Sequence, residues 1–494
     1  MNNQDPKQNN EQKKCTEVTR REFIKYSVGT AACISLGTLG YGCSGSGGTG
    51  YVPSSNNFPV VVFTDMHFNP FYDQSLFSQL NAAEAAQWEP IFQKSALTAP
   101  SSWGGDANYP LLKVAFSSIK QNLGKSPLVI FTGDILGHGI PETFFSLYDP
   151  ANVNNPTPAD IAAMKAFTLK TVTFFMQQMR LAVGNIPVLF ALGNLDSYTG
   201  LGPDSSFLSD TAELYYTQFL NGIVDHQTFL TTFKSGGYYS AEPAGTNLMV
   251  IGLNTFEFSP YFGNINSNAV NAELDWFDST LASAQARGKK VWLLMHVPPG
   301  ADKYSTAQSA DANGHITSAT MEWVQDYQTR FLQILSKYPG VVADTLIAHT
   351  HMDEFRIMSP GNVAYTTPSI APYFGNNPAF KIFSFSNDTL KATNYTSLNY
   401  DLATMPSQFN IYYNFSETYA ALGYLSDSMT QLYLQLDTDN VKQALYRGSY
   451  FSGHNYTVPV GNQFNPITDK TWPVYLCGIG YMDQQILIRC VNSH

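Results

Sequence analysis

Charge is scarce in this chain: only 13% of its 494 residues are Asp, Glu, Lys or Arg, and the balance is acidic, at −11. It lacks the basic footprint that nucleic-acid phosphates demand, so no binding to nucleic-acid duplexes is expected. Cysteine is scarce too. Of the five, Cys15, Cys33 and Cys43 fall within the first 43 residues, which leaves Cys477 and Cys490 in the body. With no CxxC pair and no Cys/His cluster, a thiolate metal site is not expected. There is no repeat of fixed period, low complexity is confined to the leader and tether, and the apolar run from Tyr26 to Tyr41 is too short and too glycine-rich to span a membrane. What the chain does have is apolar bulk. A hydrophobic content of 44% and an aromatic content of 14% suffice for a large buried core, read as one big domain with an appendage.

The first residues differ in kind from the rest. Thr19-Arg20-Arg21-Glu22-Phe23-Ile24-Lys25, followed by the apolar run and then "SGSGGTG", resembles a twin-arginine export signal with a flexible tether behind it. Residues 1–43 are therefore expected to be the signal and residues 44–57 the tether, with the protein exported to a periplasmic or extracellular location. Cys43 stands where a bacterial lipoprotein carries its acylated cysteine, but Gly40 occupies the position three before it, where an aliphatic residue is usual. Lipid anchoring to a membrane and cleavage to a soluble protein both stay open. Cys477 and Cys490 are candidates for a disulfide worth about 2–4 kcal/mol, or equally for two buried thiols. Asn-x-Ser/Thr triplets occur at Asn387, Asn394, Asn414 and Asn455, and a bacterial-type leader gives them no expected use as glycan acceptors.

Past the tether, "FPVVVFTDMHFNP" is a β-branched run that ends in polar residues, as expected of a strand opening into a functional loop. The shape recurs in "SPLVIFTGDILGHG", "IPVLFALGNLDSY", "NLMVIGLNTFEF", "KKVWLLMHVPPG" and "VVADTLIAHTHMDEF". Between these runs lie helical patterns such as "YPLLKVAFSSIKQNL", "ADIAAMKAFTLKTVTFFMQQMRLAV", "AELDWFDSTLASAQARG" and "TMEWVQDYQTRFLQILSKY". Alternating strands and helices predict an α/β architecture with ligands at the strand ends. From about residue 385 the texture becomes more helical and Tyr-rich, so residues 58–384 are expected to form the catalytic domain and residues 385–494 a mainly helical C-terminal subdomain.

The chemistry gathers at those strand ends: Asp65 and His67 in "TDMH", Asp134 in "TGDILGH", Asn194 in "LGNLD", His296 in "LMHVPPG", and His349 and His351 in "AHTH". Singly, each has an ordinary alternative as a turn former, a helix cap or a hydrogen-bonded core histidine. Their recurrence at matching strand ends is what a chance arrangement does not predict. Carboxylates and imidazoles without thiolates suit Zn, Mn or Fe. A carboxylate shared by two ions about 3.5–4 Å apart lets them clamp the attacking and leaving oxygens of an in-line phosphoryl displacement, with attack by metal-bound hydroxide at neutral pH.

In order, DMH, GD, GN, H and HTH resemble the signature of the calcineurin-like metallophosphoesterases. "MHVPPG", "AHTHMDEF", "TPSIAPYFGNNPAF" (Thr367 to Phe380) and the histidine four residues after the GD resemble its acid sphingomyelinase-like phosphodiesterase branch. The resemblance implies a β-sandwich of two mixed sheets flanked by helices, and two divalent metal ions, zinc or else Mn or Fe. It implies that Asp65, His67, Asp134 and His351 hold one ion and that Asp134, Asn194, His296 and His349 hold the other, with Asp134 as the bridge in the reacting centre. Ala348 departs from the usual Gly of the GHTH motif, a small change.

Leu195 is the larger departure, because the family motif GNH[DE] carries there a histidine thought to protonate the leaving oxygen. A leucine cannot. General acid catalysis contributes about 10²–10⁴-fold, and an alkoxide needs the proton far more than a phosphate or aryl oxide does. The expected activity is therefore an exported two-metal phosphohydrolase or phosphodiesterase that favours good leaving groups on small-molecule phosphoesters or phosphoanhydrides: nucleotides, polyphosphate and aryl phosphodiesters. His138 is expected either to replace the lost acid near the substrate phosphate or merely to order its loop. Asn254, Tyr373 and Asn376 are candidates for the substrate cleft, with turn or packing roles as the alternative, while Asp196 is read as support for the metal loop. His226, His315 and His454 lie outside the motifs and are read as structural or solvated. Two other functions remain in view. One is a sphingomyelin or phospholipid phospholipase C, against which the stretch from Cys43 to Asp65 carries no saposin-like cysteine framework. The other is a non-catalytic metal-binding surface lipoprotein.

Overall fold

Twelve strands form two six-stranded sheets in the computed structural model, which describes residues 56–261, 266–455 and 464–494. The leader, Cys43 and most of the tether lie outside the described residues. In the first sheet β1 (Asn57–Phe63), β2 (Val129–Phe131) and β3 (Val188–Phe190) run parallel. In the second, β4 (Tyr239–Ala241) pairs antiparallel to β5 (Leu248–Gly252), which continues in parallel through β6 (Lys290–Leu294), β7 (Val342–Ile347) and β9 (Asn362–Thr366). Antiparallel β8 (Phe355–Ser359) forms the far edge. The parallel strands are buried nearly throughout, as expected of apolar runs covered on both faces.

The remaining strands correct the expected domain boundary. Residues 384 and 385 both lie inside β10 (Ala379–Ser386), which pairs antiparallel with β1. Next come β11 (Ala392–Asn399) and β12 (Asn410–Asn414), which complete the order β12-β11-β10-β1-β2-β3. The first sheet is therefore built from two separate stretches of the chain, residues 57–190 and 379–414. Composition marks where the texture changes, but hydrogen bonding across more than 300 residues of sequence decides which segments share a sheet. Only after residue 414 does the chain become helical, through Leu425–Gln435, Asn440–Ser449, Trp472–Gly480 and Gln484–Val491. Cys477 and Cys490 are disulfide-bonded, with a Cα–Cα distance of 6.0 Å, and tie the last two helices together.

Aromatic residues lock the two sheets face to face. Trp292 of β6 lies 4.0 Å from the ring of Phe385 in β10, and its indole N–H donates to the carbonyl of Leu390 at 2.6 Å. Tyr365 of β9 meets Phe383 of β10 at 5.9 Å, while the hydroxyl of Tyr239 in β4 bonds both the N–H and the C=O of Phe190 in β3. Helices cover the outer faces. Pro158–Val183 starts with a capping box between Thr157 and Asp160 and packs against Tyr109–Asn122, which Asn108 caps. Ser267–Ala286 and Gln325–Lys337 cover the second sheet through Leu274, Phe277, Leu281, Phe331 and Leu335. No helix of the described residues is long and apolar enough to cross a membrane.

Candidate metal centre

The C-terminal ends of β1, β2, β3, β6 and β7 point the same way, and backbone bonds continue beyond the strands to hold their loops together. Asp65 N–H donates to Gly133 O at 2.9 Å, His67 N–H to Asp134 O at 3.0 Å and Ala348 N–H to His296 O at 3.1 Å. The loop after β9 joins them: Ser369 N–H donates to His351 O and Ala371 N–H to Asp65 O. Among the described residues nine non-glycine positions have positive φ, and five of them are Asp65, His67, Asp134, His349 and His351. Such backbone is unfavourable for side chains with a Cβ and persists where the surroundings over-determine it, and five of these turns coincide with the expected ligand positions. The glycines of the GD and GN motifs have a steric cause. A Cβ on Gly193 would lie 2.0 Å from Oδ1 of Asp134, and one on Gly133, where φ is 100°, would lie 2.4 Å from the nitrogen of Gly193.

Side chains converge accordingly. Oδ1 of Asp65 is 3.6 Å from Nε2 of His67, 3.4 Å from Nε2 of His351 and 3.8 Å from Nε2 of His296. Oδ2 of Asp134 is 3.5 Å from Nε2 of His67 and 3.1 Å from Nε2 of His296, and Oδ1 of Asn194 is 3.1 Å from that same His296 nitrogen. Both carboxylate oxygens of Asp65 are buried with no hydrogen-bond partner. A buried carboxylate left without donors, ringed by imidazole nitrogens, fits a cation. Asp65, His67 and His351 form one group able to hold an ion, and Asp65, Asp134 and His296 form another, so the clustered Asp and His residues suit a dimetal site. His349 belongs to neither group; its Nε2 lies 3.7 Å from Oε2 of Glu322.

Electrostatics follow from this crowding. Burial alone would depress His67 and His296, but Asp134 and Asp65 outweigh it and raise them to about 9 and about 10. Asp134 moves the opposite way: burial would raise it, yet His296 and His67 hold it well below the usual carboxylate range. Burial, and then the charge of His67, depress His351 strongly. The Nε2 atoms of His67 and His351 face each other at 3.0 Å, which is a hydrogen bond if the protonated His67 donates to the neutral His351. Asp196 is pushed up to about 7 by burial and by Asp134 beside it. Its carboxylate accepts from the N–H groups of Asp134, Ile135 and Gly193 at 2.7–3.0 Å, clasping the GD and GN loops together.

The other expected site residues divide. Tyr373 stacks on His138 with centroids 3.7 Å apart, and His138 lies 4.7 Å from the ring of His67, so both border the cluster. Asn254 is buried and donates to Gly236 O at 2.9 Å, and Asn376 is buried with its Nδ2 shared among the carbonyls of Ser369, Ala371 and Asn377, while Oδ1 of each has no hydrogen-bond partner. His226 pairs with Glu213 at the surface, His315 is exposed, and His454 stacks on Trp103. Sequence reasoning missed Asp106 and Glu322. Buried Asp106 accepts from Nδ1 of His138 at 2.7 Å and from its backbone N–H at 2.8 Å, fixing the ring. "WGGDANY" carries no periodic or motif signal that could have found it. A cavity of about 340 Å³ between His138 and Leu195 adjoins the cluster.

Comparison with known proteins fits this geometry. Residues 58–353 match the calcineurin-like phosphoesterase family. Cyclic GMP-AMP phosphodiesterase SMPDL3A of Homo sapiens is 24% identical over 480 residues, 92% of this chain and 94% of that protein. Sphingomyelinase phosphodiesterase C of Dictyostelium discoideum is 22% identical over 425 residues, 80% of this chain and 84% of that one. Sphingomyelin phosphodiesterase B of the same organism is 24% identical over 436 residues, 82% of this chain, but the match spans only 61% of that relative's length. Among solved structures, a dimetal phosphatase from Danio rerio aligns over 69% of this chain and 95% of its own, at 12% identity and a TM-score of 0.37.

Proposed function

On the premise that the chain belongs to the calcineurin-like phosphoesterase family and is a metal-dependent phosphoester hydrolase, we propose that it is an exported two-metal phosphohydrolase or phosphodiesterase that favours good leaving groups. Asp65, His67, Asp134 and His351 would hold one divalent ion, and Asp134, Asn194, His296 and His349 the other, with zinc the first candidate and Mn or Fe the alternatives, since this set of carboxylate and imidazole donors suits all three. When bound, two such ions supply Lewis acidity toward the phosphoryl oxygens and an activated water. The observation that carries the reading is the buried, donor-free carboxylate of Asp65 set within 3.4–3.8 Å of three imidazole nitrogens.

The chain's own residues then set the preference. Leu195 offers no proton. Tyr373 on one face and His67 on the other hold the ring of His138, and Asp106 fixes its Nδ1, leaving Nε2 as the nitrogen able to pass a proton to a departing oxygen. Asn254 and Asn376, held through Nδ2 by backbone carbonyls, are proposed as cleft residues through Oδ1 atoms that have no hydrogen-bond partner. Export rests on the twin-arginine-like Thr19 to Lys25, and a lipid anchor at Cys43 on the cysteine's place ahead of the glycine-rich tether.

Relatives named for sphingomyelin support a second reading, hydrolysis of a lipid phosphodiester. A substrate panel run on metal-reconstituted protein separates the two. Aryl phosphodiesters, nucleoside polyphosphates or polyphosphate should turn over faster than sphingomyelin, and the reverse order overturns the preference argued from Leu195.

A further inference from the structure

Each imidazole that binds an ion has a second nitrogen, and the partner of that outer N–H fixes the ring's tautomer and orientation. For His67 and His296 the partner is a backbone carbonyl: Nδ1 lies 3.1 Å from Leu136 O in the first and 2.7 Å from Thr132 O in the second. In both, Nε2 faces the cluster. His349 is turned the other way, with Nε2 toward a carboxylate, Oε2 of Glu322 at 3.7 Å.

Local backbone sets the place of Glu322 firmly. Its N–H donates to Gly300 O at 2.8 Å, and the adjoining Ala301 and Met321 form a β-bridge. Trp323, the next residue, is 1% exposed in the core, with its indole N–H donating to Val297 O at 3.1 Å. Glu322 itself is 5% exposed and lines a cavity of about 120 Å³ together with His349, Thr350, Tyr304 and Phe464. A carboxylate so buried requires a donor or a positive partner. Two buried cations are close, but Lys303 pairs with Glu354 at 2.7 Å, while Arg356 bonds Pro299 O at 2.6 Å and reaches Glu354 at 3.3 Å. Nε2 of His349 stands 3.7 Å from Oε2 of Glu322.

We propose that Glu322 is the positioning carboxylate of His349: it accepts the N–H of Nε2 and thereby presents Nδ1 to the second metal ion. The inference rests on the two-metal reading above. The separation of 3.7 Å is longer than a hydrogen bond, so the role requires the two groups to stand closer in the metal-loaded protein. A carboxylate in this role raises the basicity of the ligand, which a backbone carbonyl does less strongly. The second ion would then depend on residue 322, although that residue does not bind it.

Zinc titration of metal-free protein against a chromophoric chelator, together with the visible spectrum of the cobalt-substituted form, tests this without recourse to turnover. Wild type should take up two equivalents. Glu322→Ala should weaken one of the two by about 10–100-fold and leave the other unchanged. Glu322→Gln, nearly isosteric and still an acceptor, should weaken the same equivalent by less, with the circular dichroism of wild type, so a folding defect in the alanine variant does not obscure the result. Two equivalents bound at wild-type affinity by both variants overturns the role of Glu322 alone. A wild type that binds fewer than two equivalents overturns the two-metal reading, and the inference falls with it.

Discussion

The backbone N–H of Leu195 donates to Oδ1 of Asp134 at 2.7 Å. The residue that lacks the family's imidazole therefore still supports the carboxylate proposed to bridge the two ions, through an atom that every amino acid except proline supplies. Its side chain meanwhile lines the cavity shared with His138. At this position the backbone supports Asp134 whatever the side chain, so the proposed loss of a proton donor leaves that support in place.

That separation predicts the behaviour of Leu195 variants. Leu195→Ala should retain wild-type metal content by elemental analysis. Leu195→His, which adds a proton donor beside His138, should raise hydrolysis of an alkyl phosphodiester by more than it raises that of an aryl diester. Equal gains on both substrates would mean that the leucine limits something other than proton transfer.

Asp106 and His138 should behave as a unit. His138→Ala should abolish the alkaline limb of the pH–rate profile for an alkyl phosphodiester, because a general acid works only while it carries its proton. Asp106→Asn should lower kcat on that substrate with little effect on KM, and adding it to His138→Ala should cost little more. Additive losses in the double variant would separate the two residues.

Metal uptake should release protons. His67 and His296, raised to about 9 and about 10, keep their protons at pH 7 in the metal-free protein, and an ion must displace them. Calorimetry in buffers of different ionisation enthalpy should report about two protons released at pH 7, and zinc affinity should climb with pH until about 9–10. The same charges act on the metal-free fold. Imidazoles raised above their ordinary 6.5 stabilise it fully below that pH and lose the contribution as pH rises through 9. Asp134, held below its ordinary 3.8, contributes above that pH and loses the contribution as pH falls through its depressed value. No proton release at pH 7 would refute this charge arrangement.

Asp196→Ala should be among the most destabilising single changes, since it leaves three N–H groups of the GD and GN loops without their acceptor. A loss of about 3–5 kcal/mol in denaturant unfolding is expected. A loss below about 1 kcal/mol would show that water replaces the carboxylate.

Cys477→Ser should lower stability by about 3 kcal/mol, as expected for a bridge closing a short loop, and leave turnover unchanged because the bridge ties only the last two helices. Comparable thermal midpoints for the variant and the oxidised wild type would show that the bridge adds nothing.

Much of the site was legible because its signals are local. Apolar runs ending in Asp-x-His, Gly-Asp, Gly-Asn and His-x-His put donors at strand termini, and strand direction then brings those termini to one edge. The glycines of GD and GN could be read as motif residues, but only their back-to-back contact explains why no side chain fits there.

What the sequence by itself determined is the alternation of strands and helices up to the His-x-His loop and the types of donor at the strand ends, since each depends on residue type within a few positions. Tertiary structure alone decided which distant segments meet. It joined β10 to β1, brought His351 to within 3.0 Å of His67 across 284 residues, and set Asp106 on His138 and Glu322 beside His349. Buried carboxylates in loops carry no periodicity, so their partners follow from how loops close over a finished sheet edge. That closure is a property of the packed chain and not of any stretch of it.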